Sequence, residues 1–82
     1  MASLHMLSKV GDVRVDWDPD AVKIGDPEAL AAIAEAERIL AEARATGATA
    51  FIVKEGEPAR VMDEFDPQAN QKVVVVPRIV GG

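Results

Sequence analysis

The stretch QKVVVVPRIVGG, residues 71–82, decides the fold. Four consecutive β-branched residues from Val73 to Val76 favour a strand, and valine on both faces of that strand suits the middle of a sheet better than its edge. Successive side chains alternate across a strand, so Val73 and Val75 point one way and Val74 and Val76 the other. Pro77 has no amide proton to give a neighbouring strand, so the ladder should end there. Arg78 to Gly82 are then expected to form an extended, flexible tail, whose last two residues carry no side chain.

Working back, DPQAN (Asp66–Asn70) has the composition of a turn. ATAFIVKE (Ala48–Glu55) and ARVMDEF (Ala59–Phe65), joined by GEP, have the pattern of a hairpin with a shorter second strand. Upstream lies the clearest helix. Asp26 can cap the free amides of a first turn, Pro27 suits the first helical position, and Glu28 complements the positive end of the dipole. The helix should run to about Thr46, with Gly47 closing it in a left-handed conformation. Leu30, Ile33, Ala36, Leu40 and Ala43 form its expected buried stripe, and Glu35, Arg38 and Glu42 are spaced for ion pairs elsewhere.

Asp18–Gly25 has the prolines, glycine and aspartates of a loop. Before it, Val13, Val15 and Trp17 alternate with Asp12, Arg14 and Asp16 as in a half-buried strand. Leu4–Val10 is the candidate for a preceding strand, with Gly11 and Asp12 at the turn. MASLHM opens with a second methionine directly after a histidine, a junction typical of cloning, so Met1–His5 are expected to lie outside the domain and Met6 to begin it. The expectation is one α+β domain over residues 6–77: a mixed sheet of four to five strands packed on one face by a single helix.

One helix leaves the other sheet face uncovered. Apolar side chains there would form a patch that a partner fills, and Ile52, Val74 and Val76 are the candidates.

Composition narrows the chemistry. With 82 residues there is room for one small core and no deep cleft between domains. The net charge of −5, without a basic cluster, argues against a nucleic-acid partner. No cysteine is present, which removes disulfides, thiol nucleophiles and thiolate metal sites and fits a cytoplasmic setting. His5 is the one histidine, so a histidine base is not expected, and neither is an enzyme. No membrane segment is expected from apolar runs this short. Asp16, Asp18 and Asp20 begin like a calcium loop, but Ala21 and Pro27 stand where that loop needs glycine and a bidentate glutamate. No metal or cofactor is expected. The acidic groups at Glu55 and Glu57, and at Asp63, Glu64 and Asp66, read as a solvated rim able to steer a basic partner surface.

The tail therefore carries the distinctive chemistry. Gly81 and Gly82 can enter a slot too narrow for other residues, and an unhindered carboxylate at Gly82 is open to attack once activated. Residues Phe51–Gly82 resemble the second half of β-grasp, ubiquitin-like sulfur carriers, such as the small subunit of molybdopterin synthase and the thiamine-pathway carrier. The shared features are a β-branched strand, a proline, an apolar pair and a terminal Gly-Gly. The resemblance implies a β-grasp fold with the last strand beside the first. It also implies that Gly82 is adenylated by an ATP-dependent enzyme of the ubiquitin-activating type, then passed on as a thiocarboxylate or to an amine. Arg78, Ile79, Val80 and Gly81 would thread into that enzyme, and a target protein or a sulfur-accepting synthase subunit would be the second partner. Arg78 departs from the pattern, since the carriers often place proline or an apolar residue there. VPRIVGG is also similar to ubiquitin-like domains of phage tail assembly proteins, which implies the alternative of a binding module that is never conjugated.

Overall fold

A computed structural model describes residues 1–7 and 11–77. The elements in chain order are β1 (Ala2–Met6), β2 (Val13–Trp17), α1 (Pro19–Lys23), α2 (Pro27–Ala45), β3 (Thr49–Val53), β4 (Arg60–Val61) and β5 (Lys72–Val76). The strands form one mixed sheet in the order β2-β1-β5-β3-β4, with α2 as the main helix packed on one face. This is the α+β, β-grasp arrangement, and β5 lies at its centre.

β5 runs parallel to β1, with Leu4 opposite Val73 and Met6 opposite Val75, and antiparallel to β3, with Ile52 opposite Val73 and Ala50 opposite Val75. Opposed residues share a face. Leu4, Val73, Val75, Ala50 and Ile52 therefore all point beneath α2, and Leu4 and Val73 are completely buried. The strand ends at Val76, directly before Pro77.

Met1–His5, expected outside the domain, supply four of the five residues of β1. Ala2 and Leu4 are core residues, and β1 pairs with both β2 and β5. The sheet thus begins at Ala2, before both the expected strand start at Leu4 and the expected domain start at Met6, and Ser8–Val10 of the expected strand lie outside the described residues. Alternating small and large apolar residues at Ala2, Leu4 and Met6 are what a covered strand requires, whatever the His-Met junction suggests.

Asp26 caps α2 by accepting a hydrogen bond from the Ala29 amide at 3.1 Å. Thr46 closes the helix, followed by Gly47 at a φ of 84°, which strongly favours glycine. The buried stripe is Ala29, Ile33, Ala36, Ile39, Leu40 and Ala43. Leu30 is 46% exposed instead of buried. At about 100° per residue it lies roughly 120° from Ala36, beyond the stripe, while Ala29 and Ile39 fall within about 60°. On the solvated face Arg38 donates to both Glu35 and Glu42. The hydrogen bond from Arg38 is the main cause that holds the Glu35 carboxyl below the usual carboxylate range. Its stabilising contribution is present above the unfolded pKa and disappears as pH falls through the lowered one.

Two other expectations change. Asp18–Gly25 is not all loop: Asp18 caps the short helix α1 by accepting from the Asp20 amide at 2.9 Å, and Pro19 and Val22 are buried against the core side. β4 is only Arg60–Val61, because the chain then turns inward at Met62 and Phe65. Phe65 meets Trp17 edge-on, with ring centroids 5.6 Å apart, and the Trp17 Nε1–H donates to the Pro67 carbonyl at 2.9 Å. Gln71, also buried, donates through Nε2 to the Asp66 carbonyl at 3.3 Å. The β4–β5 connection is thereby tied beneath β2.

Leu4→Ala should lower unfolding free energy by about 2–5 kcal/mol in urea titrations, as large-to-small core changes do. Leu30→Ala should change it by about 0.5 kcal/mol or less, as exposed sites do.

Candidate functional site

Two regions can carry function: the end of β5 and the sheet face opposite α2. Gly82 and the proposed enzyme-contacting residues Arg78, Ile79, Val80 and Gly81 lie outside the described residues. What the structure positions is their point of departure. β5 is hydrogen-bonded on both sides, and Pro77 is exposed directly after it. Because β1 and β5 are parallel, the chain leaves β5 at the end of the sheet where Leu7 leaves β1, and the Leu7 amide donates to the Val75 carbonyl at 3.1 Å.

The open face is defined by register. Val74 lies between His5 on β1 and Phe51 on β3, Val76 is opposite Thr49, and Val53 is opposite Lys72. Phe51 in turn is opposite Val61 on β4. Phe51, Val53, Val74 and Val76 are half-buried and Val61 is 58% exposed, so an apolar band crosses the face from β4 to β5. At β1 and β2 the face becomes polar, with Ser3, His5, Arg14 and Asp16.

Val74 and Val76 are therefore on the face left uncovered among the described residues, and Ile52 is not. Ile52 is opposite Val73, is 8% exposed and belongs to the core under α2. The correction comes from period two: Phe51 and Val53 share a face and Ile52 takes the other, but only the pairing with β5 says which of them joins Val74. A one-residue change in register would exchange the two sets. Val61 joins the band unannounced, because ARVMDEF does not reveal which of its residues meets Phe51.

The charged groups singled out in sequence have local tasks. Asp16 accepts from Arg14 Nε at 3.0 Å, Asp18 caps α1, and Asp20 lies 3.7 Å from Lys23. Asp66 accepts from the Gln68 amide at 3.0 Å and shapes the turn before β5. Glu55, Glu57, Asp63 and Glu64 are exposed. His5 Nε2 lies 3.5 Å from an Asp12 carboxylate oxygen. Among the described residues, no group of three or more such side chains is placed to hold a metal ion, and no helix is long and apolar enough to cross a membrane.

Comparison of the chain with family models, with curated proteins and with solved structures finds no match in any of the three.

The assignment of faces has a direct check. Val75→Asp places a carboxylate in the core and should abolish the cooperative urea transition. Val76→Asp, on the open face, should keep that transition with a loss of about 2 kcal/mol or less.

Proposed function

We propose that this chain is a ubiquitin-like modifier or sulfur carrier, a substrate of other enzymes and not itself an enzyme. Its reacting group is the Gly82 carboxylate, whether Gly82 ends the chain as synthesised or is exposed when a longer chain is cut at that point. The observation that carries the reading is the position of β5. The segment that carries Gly-Gly, Arg78–Gly82, follows the central strand of a β-grasp sheet, which ends at Val76 directly before Pro77. The described residues thus end at the base of a five-residue segment, Arg78 to Gly82, that a partner would handle.

The chemistry needs an ATP-dependent adenylating enzyme of the ubiquitin-activating type. The Gly82 carboxylate attacks the α-phosphorus of ATP, pyrophosphate leaves, and an acyl-adenylate forms. Sulfide or an amine then attacks the carbonyl carbon and AMP leaves, giving a thiocarboxylate or an amide. Arg78, Ile79, Val80 and Gly81 are the contacts for the activating enzyme. The receiving partner is a target protein or a sulfur-accepting synthase subunit, and the reaction belongs in the cytoplasm, where ATP is supplied. No resident cofactor is required.

A second reading has its own support. The apolar band of Phe51, Val61, Val74 and Val76 is suited to protein contact without conjugation, as in a ubiquitin-like binding module of the phage assembly kind.

Pyrophosphate exchange and intact mass distinguish the two. With an adenylating enzyme from the same organism, ATP and sulfide, the chain ending at Gly82 should support exchange and gain the mass of one oxygen replaced by sulfur. Deletion of Gly82 should abolish both. An adduct that survives the deletion, or none with the intact chain and any adenylating enzyme of that organism, favours the binding module.

A further inference from the structure

β2 is the outermost strand on its side of the sheet, and its outer edge has no strand partner among the described residues. Its hydrogen-bonding direction can be worked out. The Ser3 amide donates to Gln71 and the Leu7 amide to Val75, so odd-numbered amides of β1 face β5. Backbone groups alternate sides along a strand, so those of Ala2, Leu4 and Met6 face β2. Their partners Trp17, Val15 and Val13 face back toward β1. The N–H and C=O groups of Arg14 and Asp16 are then the ones aimed outward.

The same two residues place their side chains on the open face, one positive and one negative, symmetrically about Val15. We propose that this edge pairs with β2 of a second copy of the chain, antiparallel and centred on Val15. In that register Arg14 is opposite Asp16 of the second copy, and Asp16 is opposite its Arg14. Each such pair exchanges two backbone hydrogen bonds, giving four across the two-fold axis. The Arg14–Asp16 ion pair already present within one chain becomes half of a square of alternating charge. Moving the pairing by two residues in one direction opposes Arg14 to Arg14, and in the other Asp16 to Asp16, and like charges directly opposite are unfavourable. Within β2 itself, charge complementarity therefore favours both the occupant, a second copy, and this register, while Asp12 and Asp18, which flank the strand, meet as like charges at its ends and weaken the contact. The result is a continuous ten-stranded sheet with both α2 helices on one side. The net charge of −5 on each chain opposes approach, and an edge contact is small, so the dimer is weak and depends on concentration.

Sedimentation equilibrium over a wide concentration range tests this, with circular dichroism to verify that each variant is folded. The wild type should move from monomer toward dimer as concentration rises. Arg14→Asp and Asp16→Arg should each remain monomeric at the same concentrations. The double variant Arg14→Asp/Asp16→Arg, which keeps the net charge and restores opposite pairs, should recover dimerisation. The register has a separate test, because the chain has no cysteine. Val15→Cys should form an intermolecular disulfide on mild oxidation, since residue 15 meets its own copy. Val13→Cys, which is opposite Trp17 of the second copy, should not, although Val13 is exposed. A wild type monomeric throughout, a dimer indifferent to both single charge changes, or faster cross-linking at position 13 than at 15 would overturn the proposal.

Discussion

The structure depends on β5 being held between the first strand and the third. Val73 and Val75 can be buried only if Leu4 and Met6 arrive on one side and Ile52 and Ala50 on the other, with α2 above them. None of these strands has a core without the others. The contact also joins residues from opposite ends of the chain, so its closure entropy must be met before the valines gain anything from burial. The β1–β2 pair and α2, with its own caps, are local elements, whereas β5 supplies the contact between distant parts of the chain.

The same arrangement divides the sheet into two surfaces. Beneath α2, small residues on the helix at Ala29, Ala36 and Ala43 leave space for the large ones on the strands. On the other side, no described element covers the band formed by Phe51, Val53, Val61, Val74 and Val76. At the far end of that face, β1 and β2 replace apolar side chains with Ser3, His5, Arg14 and Asp16. The apolar half is the proposed surface for a different protein, and the charged half, next to an edge with no strand partner among the described residues, the proposed surface for a second copy. Val76, the last residue of β5, belongs to the apolar band and directly precedes Pro77, so that band reaches the base of the glycine segment.

Much of this is legible in the sequence because it is local. Asp26, Pro27 and Gly47 mark the ends of α2 wherever it packs, and four valines before a proline mark a central strand and its stop. The alternation of Val13, Val15 and Trp17 likewise needs no partner to be recognised. What is not legible depends on pairing between distant segments. Ile52 can be separated from Phe51 and Val53, but not assigned to a face, without its register against Val73. Phe65 reads as a strand residue because nothing local reveals that it leaves to meet Trp17. Leu30 reads as core by hydrophobicity alone, where the helical angle puts it outside. The His-Met junction makes the opening residues look extraneous, although Ala2 and Leu4 complete the core.

Native-state hydrogen exchange on the intact chain, resolved residue by residue, is the most direct test that β1 and β5 form the centre of the fold. The amides of Ser3 and His5, directed at β5, should exchange only through global unfolding and share one opening free energy with those of Val73 and Val75. Exchange of Ser3 and His5 as fast as the exposed two-residue β4, with Val73 and Val75 still protected, would show that the first strand is not part of the core and would contradict the account.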